Sequence, residues 1–222
     1  MSIKSICAGF GILIASAGMV SAATLVNGSL TGAVANGIVP TGWTSLVGSP
    51  DTMDENNNVG VASVPFFTSP SGPSPDGGTW VGFGNDRVNA FEEVFGQMIS
   101  DFVAGRKYSL SWFAANFGAD TTGFQGPCFC GPNSIFASLD GTVIGMGTDL
   151  SSDSEWIKQS ITFTATDSVH MLAFGQTKDG PSYLSIDGIS LTAVSPVPIP
   201  AGLALVLSGV GAFGIMRRRR KS

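Results

Sequence analysis

The sequence predicts an all-β fold, an antiparallel β-sandwich of the jelly-roll kind, set between two apolar terminal segments. Three observations carry this expectation. Between Thr24 and Ser195 no apolar pattern of helical period occurs. Short runs rich in β-branched and aromatic residues recur there instead, separated by clusters of Gly, Pro, Asn and Asp, the punctuation of sandwiches and barrels. The stretch is also long enough to enclose one substantial core.

In chain order, strands are expected near Leu25–Leu30, Gly42–Leu46, Val59–Val64, Thr79–Phe83, Glu92–Ile99, Lys107–Asn116, Ser134–Leu139, Thr142–Met146, Glu155–Ala165, Val169–Gln176 and Ser182–Ala193. Tyr108, Leu110, Trp112 and Ala114 alternate with Lys107, Ser109 and Ser111, the period of a strand with one covered face. Ile161, Phe163 and Ala165 alternate in the same way with Ser160, Thr162 and Thr164. In the last strand Leu184 and Ile186 share one phase, while Ile189 and Leu191 share the other. A bulge at the intervening Gly188 would keep all four inward.

The two ends predict export. Residues 1–23 carry Lys4, an apolar run from Ile6 to Val20, and the small residues Ser21, Ala22 and Ala23. This is the layout of a secretory signal helix cleaved after Ala22 or Ala23. At the other end, residues 196–222 hold a proline motif, an uncharged stretch from Ala201 to Met216, and then Arg217, Arg218, Arg219, Arg220 and Lys221. As a helix the apolar stretch is roughly 24 Å long at ~1.5 Å per residue. The prolines and the arginine stems would cover the rest of a ~30 Å bilayer core. The arginines act as a cytoplasmic stop and place the domain at 24–195 on the far side of the membrane.

With both ends set aside, the domain has sixteen acidic residues against five basic ones, a net charge of −11. Such a surface argues against nucleic acid as a partner, because that requires a basic footprint. It is compatible with solubility outside the cell, with divalent cations and with neutral glycans. The acidic cluster Asp51, Asp54 and Glu55, with Asn56 to Asn58, lacks the spacing of a Ca²⁺-binding EF-hand loop and is expected to be a solvated loop.

The tail, with Val197, Pro198, Ile199, Pro200 and Ala201, an apolar helix and an arginine cluster, resembles the VPLPA variety of PEP-CTERM sorting signals of Gram-negative bacteria. Ile199 replaces the usual leucine. The resemblance covers residues 197–222. It implies recognition by an exosortase in the inner membrane, followed by release or transfer to the cell surface or matrix, in proteins that accompany exopolysaccharide production.

The domain is in turn similar to secreted carbohydrate-binding and galactose-binding-like sandwiches. The matching fragments are Asn27-Gly28-Ser29-Leu30, Pro40-Thr41-Gly42-Trp43, Ala104 to Trp112, Trp156 leading into Thr162 to Ala165, and Tyr183 to Leu191. That likeness implies a structural Ca²⁺ joining the first and last strands, with Asp187 as its closing carboxylate. At the opening position this chain has Thr31 in place of an acidic residue. The likeness also places Trp43, Trp112 and Trp156 in the core.

Sugar binding needs accessible aromatic faces with Asn, Asp or Gln nearby. The candidates are Trp80, Phe83 and Asn85, in a glycine-rich segment expected to leave the rings open, together with Phe117, Asp120 and Phe124 in a long loop. Cys128 and Cys130, with Gly-Pro on both sides, are expected to pair as a disulfide in an oxidising compartment. Catalytic signatures fail to emerge. His170 is the sole histidine and falls in an apolar strand, and there is no Gly-x-Ser-x-Gly, His-Glu-x-x-His or P-loop. Glu92 and Glu93 would point to opposite faces of a strand, while nothing singles out Asp140 or Glu155 as acids. The sequence therefore predicts a non-catalytic, exported protein that binds glycan or exopolysaccharide. The alternative is a structural or adhesive surface protein with no saccharide site.

Overall fold

The computed structural model describes residues 23–56, 64–121, 128–152 and 155–195. The expected signal segment apart from Ala23 and the expected tail lie outside these residues, as does most of the strand expected at Val59–Val64. Among the described residues no helix is long and apolar enough to cross a membrane.

Among the described residues are eleven strands: β1 (Thr44–Val47), β2 (Asp51–Met53), β3 (Trp80–Asp86), β4 (Phe91–Glu92), β5 (Val94–Ile99), β6 (Lys107–Ala115), β7 (Ile135–Leu139), β8 (Thr142–Met146), β9 (Ile157–Thr164), β10 (His170–Gln176) and β11 (Ser182–Ala193). Every pairing is antiparallel. One sheet has the order β1-β5-β10-β7-β8 and the other β2-β3-β11-β6-β9, with β4 paired to β3. The architecture is an all-β sandwich of two sheets with a jelly-roll-like course.

The alternating strands supply the core. Phe95 and Ile99 of β5, Leu172 and Phe174 of β10, and Ile135 and Ala137 of β7 meet Val81 and Phe83 of β3, Tyr108, Leu110 and Trp112 of β6, and Leu184 and Ile186 of β11. Trp43 packs on Phe95 and Phe174, with centroids 5.3 and 6.1 Å away, and its Nε1–H donates to the Asn27 carbonyl at 2.9 Å. The bulge expected at Gly188 is present. The β11–β6 register shifts between Asp187 and Ser190, and Gly188 takes a φ of 56°, which favours glycine. Ile189 is thereby buried and Leu191 packs against the same core.

Two expectations need correction, and one apolar cluster was not expected. Residues 25–30 form no strand. Asn27 and Leu30 have positive φ, and the Asn27 side chain bonds the Thr31 N–H and the Thr31 and Thr41 carbonyls. A local turn thus claims groups that a ladder would need, although the Ile189 N–H still reaches the Gly28 carbonyl at 2.8 Å. Asp51, expected in a solvated loop, begins β2 and is buried. Its carboxylate accepts the Gly37 N–H at 2.6 Å and the Tyr183 hydroxyl at 2.5 Å, which compensates its loss of water. Finally, a second apolar cluster lies on the outer side of the six-stranded sheet, where Trp80, Phe117, Tyr183 and Met53 pack with Phe66, Phe129 and Trp156 beneath loops.

Glu93 is the other buried acid beside this cluster. It accepts the Gly84 N–H at 2.5 Å and the Ser49 N–H at 3.2 Å, yet burial first, and then the nearby Asp51 charge, push its pKa up to about 7. A carboxyl raised in the folded state stabilises the fold fully at pH values below its ordinary 4.5 and loses that contribution as pH rises through about 7. The melting temperature should therefore fall between pH 5 and pH 8, and thermal scans of Glu93→Gln should show a flatter dependence. An equal slope in the variant would assign the pH effect elsewhere.

Candidate binding face

The sandwich leaves each sheet an outer side, and that of the five-stranded sheet follows directly from strand alternation. On β5, Phe95, Gln97 and Ile99 are buried, so Val94, Gly96 and Met98 face outward. On β10, Leu172 and Phe174 go in while Met171, Ala173 and Gly175 face out. On β7, Phe136 and Ser138 face out. The register aligns Met98 with Met171, Gly96 with Ala173, Ala173 with Ser138, and Gly175 with Phe136, and continues from Phe136 to Met146 and from Ser138 to Val143.

The result is an uncharged strip whose middle is made of small residues and whose flanks are large. Phe136 reaches across the sheet onto Gly175, where an added Cβ would stand 2.6 Å from the ring, and Leu46 covers Gly96 in the same way at 2.8 Å. Met98 and Met146 are each 58% exposed, Val143 51% and Leu46 40%, so the flanks of the strip are open to solvent, while Gly96, Ala173, Gly175 and Ser138 in its middle are covered. The absence of a side chain on Gly175 makes room for the Phe136 ring, which stays half-buried.

One end of the strip is closed by a clasp. His170 Nε2 accepts the Asp167 N–H at 3.0 Å, which leaves Nδ1–H as the donor to Asp140 Oδ2 at 2.6 Å. Asp140 also accepts the Met171 N–H at 2.9 Å. The His170 hydrogen bond, and then that from Met171, hold the Asp140 carboxyl below its ordinary value. The buried histidine is a structural pin with both nitrogens engaged.

The residues expected to contact sugar are placed differently. Trp80, Phe83 and Phe117 are completely buried and present no face to a ligand. The glycines beside them admit neighbours rather than solvent. Tyr183 and Met53 occupy the space over Gly82, and Phe91 the space over Gly84. Trp80 meets Trp156 and Phe117 at 5.4 and 5.9 Å between centroids. Asn85 is buried, with its amide donating to the Lys178 and Gly180 carbonyls at 2.6 and 3.2 Å. Asp120 is half-buried in a loop, its N–H donating to the Pro65 carbonyl at 3.0 Å, and Phe124 lies outside the described residues. Trp43 and Trp112 are buried in the main core, and Trp156 is half-buried in the outer cluster. Cys128 and Cys130 are joined as a disulfide, and Cys130 bridges to Ser182 at the start of β11.

Phe136, the half-buried aromatic residue on this side of β7, escaped the sequence reading. Its signal was present in the phase of β7, since an inward Ile135, Ala137 and Leu139 leave Phe136 on the other side.

The implied Ca²⁺ can be tested against Asp187. This carboxylate is buried, Oδ2 accepts the Ser74 hydroxyl, and Oδ1 has no hydrogen-bond partner. Burial chiefly, with a smaller contribution from the charge of Asp76, pushes its pKa up to about 7. An orphaned buried oxygen beside a second carboxylate fits a cation. The Thr31 hydroxyl donates to the Ser29 carbonyl at 3.3 Å, and the Asp187 side chain takes its hydroxyl from Ser74 instead. Among the described residues no three His, Cys, Asp or Glu side chains gather to hold a metal, so neutral oxygens would have to complete the six to eight that Ca²⁺ takes.

No family model matches this sequence, and no curated protein matches it. Solved structures of similar shape include carbohydrate-binding modules. One is a CBM4 module, at 15% identity and TM-score 0.43, aligned over 77% of this chain and 100% of that one. Another is the C-terminal CBM6 of a laminarinase from Zobellia galactanivorans, at 14% identity and TM-score 0.38, over 64% and 98%. A third is a CBM36 module in complex with calcium and xylotriose, at 14% identity and TM-score 0.37, over 64% and 98%. Segments of larger enzymes also match, over 27% and 26% of those chains. At these identities the likeness is one of β-sandwich architecture.

Proposed function

We propose that this is an exported, non-catalytic surface or matrix protein whose sandwich holds a neutral glycan on the outer side of the five-stranded sheet. The observation that carries the reading is the uncharged strip centred on Phe136. A pyranose ring offers apolar C–H bonds on one side, which an exposed aromatic ring complements, and the methionines and Leu46 supply further apolar area at the flanks. Thr44 is an exposed hydroxyl on the same side, whereas Ser138 is buried beneath the flanking side chains. Catalysis has no support in this strip, whose bordering acid, Asp140, is tied to His170 and to the Met171 N–H. Full-length protein in detergent micelles, applied to a neutral glycan array, should bind a subset of linear polysaccharides. Phe136→Ala should weaken that binding about tenfold or more with little change in melting temperature, because the ring is only half-buried. Trp80→Ala should instead cost about 3–5 kcal/mol of stability, as expected of a fully buried tryptophan. Binding unchanged in Phe136→Ala, or none at all, would leave the adhesive, non-saccharide reading.

A structural Ca²⁺ at Asp187, with Asp76 and the Ser74 hydroxyl as further donors, fits the orphaned oxygen there. It would brace β11 against the loop at residues 74–78. Millimolar Ca²⁺ should raise the melting temperature of the wild-type protein and leave Asp187→Asn unmoved. A wild-type transition indifferent to Ca²⁺ would remove the cation.

Export through the N-terminal segment and sorting of residues 197–222 by an exosortase complete the proposal. It rests on the order of proline motif, apolar stretch and arginine cluster. The protein would be anchored transiently in the inner membrane and then reach the surface or matrix of a Gram-negative cell. Mass analysis of surface protein should find a new C-terminus near Pro198–Ala201, whereas an intact Arg217–Arg220 tail would contradict processing.

A further inference from the structure

The outer side of the six-stranded sheet differs from the strip described above. Its upper part is roofed by loops over Trp80 and Tyr183, but the lower halves of β11, β6 and β9 are uncovered. Because Tyr108, Leu110 and Trp112 point inward, Lys107, Ser109, Ser111 and Phe113 face out. On β9 the outward residues are Lys158, Ser160, Thr162 and Thr164. The Gly188 bulge turns Ser190 and Thr192 out on β11.

Register then arranges these side chains in rows. Ser190, Ser111 and Ser160 lie side by side, and Thr192, Ser109 and Thr162 form the next row. Strands stand ~4.8 Å apart and alternate residues ~7 Å apart, so six hydroxyls form a compact grid. A lysine closes each end: Lys107 pairs in register with Thr164, and Lys158 with Phe113, its ammonium 5.7 Å from the ring centroid. From Lys107 to Phe113 the sheet runs roughly 20 Å at ~3.4 Å per residue.

The charge balance of this surface opposes that of the domain. Of the domain's five cations, Arg87 is paired with Glu92 and Asp179, and Lys178 with Asp149. Lys107 and Lys158 have no ion pair among the described residues, and both are exposed. Beyond the Asp187–Phe113 pair, the outward side of these three strands carries no carboxylate. A domain with a net charge of −11 thus keeps one surface of hydroxyls with a cation at either end, bordered by Asp187 and Asp76 beside Phe113.

We propose that this grid binds a linear anionic polysaccharide, one bearing uronate or sulfate groups, laid along β6 from Lys107 to Lys158. The two ammonium groups take the charges, and the serine and threonine hydroxyls exchange hydrogen bonds with the sugar hydroxyls between them. A Debye length of ~8 Å at physiological salt screens the acids elsewhere on the domain while leaving direct contacts intact. The surface lies on the opposite side of the sandwich from Phe136, so this inference is independent of the neutral-glycan site. A domain with both would cross-link two polysaccharide chains.

The test uses full-length protein in detergent micelles at about 0.15 M salt, where the Debye length is ~8 Å, with polygalacturonate as the anionic sugar probe, inorganic polyphosphate as an anion without sugar, and a neutral β-glucan. Wild-type protein should retain polygalacturonate in preference to polyphosphate. Lys107→Gln with Lys158→Gln should weaken polygalacturonate binding about tenfold, and the paired Lys→Arg variant should restore it. Both variants should keep the wild-type melting temperature and bind β-glucan as the wild type does. Failure to retain polygalacturonate, retention unchanged in the glutamine variant, or polyphosphate held equally well would each overturn the proposal. Loss of β-glucan binding in Phe136→Ala, with polygalacturonate binding kept, would separate the two faces.

Discussion

The structure depends on a change of phase in β11. As the central strand of the six-stranded sheet, it must line the core along its whole length, yet its apolar residues fall in two different registers. The extra residue at Gly188 resolves this. Leu184, Ile186 and Ile189 are buried and Leu191 packs on the same core, because one left-handed residue shifts the alternation by a step. The same step decides what appears outside. Asp187 is held against Ser74 at the edge of the roofed region, and Ser190 and Thr192 join the hydroxyl rows of β6 and β9. Core, carboxylate and outer surface are thus linked through one backbone conformation.

A two-layer sandwich buries one side of each strand and leaves the other to be used or covered. This protein does both. Loops over β3 and β11 bury Trp80, Phe117 and Tyr183 in a second cluster, and two acids are carried inside with it. Asp51 and Glu93 remain there because backbone N–H groups and the Tyr183 hydroxyl replace their water, though burial still raises both pKa values. The uncovered surfaces are of opposite character. One is an apolar strip with glycines in its floor, and the other is a hydroxyl grid with lysines at its ends.

The strand pattern was legible because alternation and glycine punctuation are local. Most expected strands after residue 79 appear within a few residues of their expected limits, and the Gly188 bulge was visible in the phase of four apolar residues. Two elements near the start were misread for physical reasons. Asn27 makes a side-chain turn where a ladder was expected, and Asp51 enters a strand because the distant Tyr183 and Gly37 satisfy it. The candidate site was less legible. Glycines next to Trp80 and Phe83 suggested open rings, but they make room for Tyr183, Met53 and Phe91, which come from elsewhere in the chain.

By itself the sequence determined which residues alternate, where the chain turns and how charge is distributed, since each is written in neighbouring residues. Which side of a strand is roofed depends on loops that arrive from far along the chain, and that was decided only by the tertiary structure. Phe136 and Trp80 are both aromatic residues on strands. One stays half-buried and the other is sealed, because residues 64–68, 116–121 and 128–130 pass over the six-stranded sheet at Trp80.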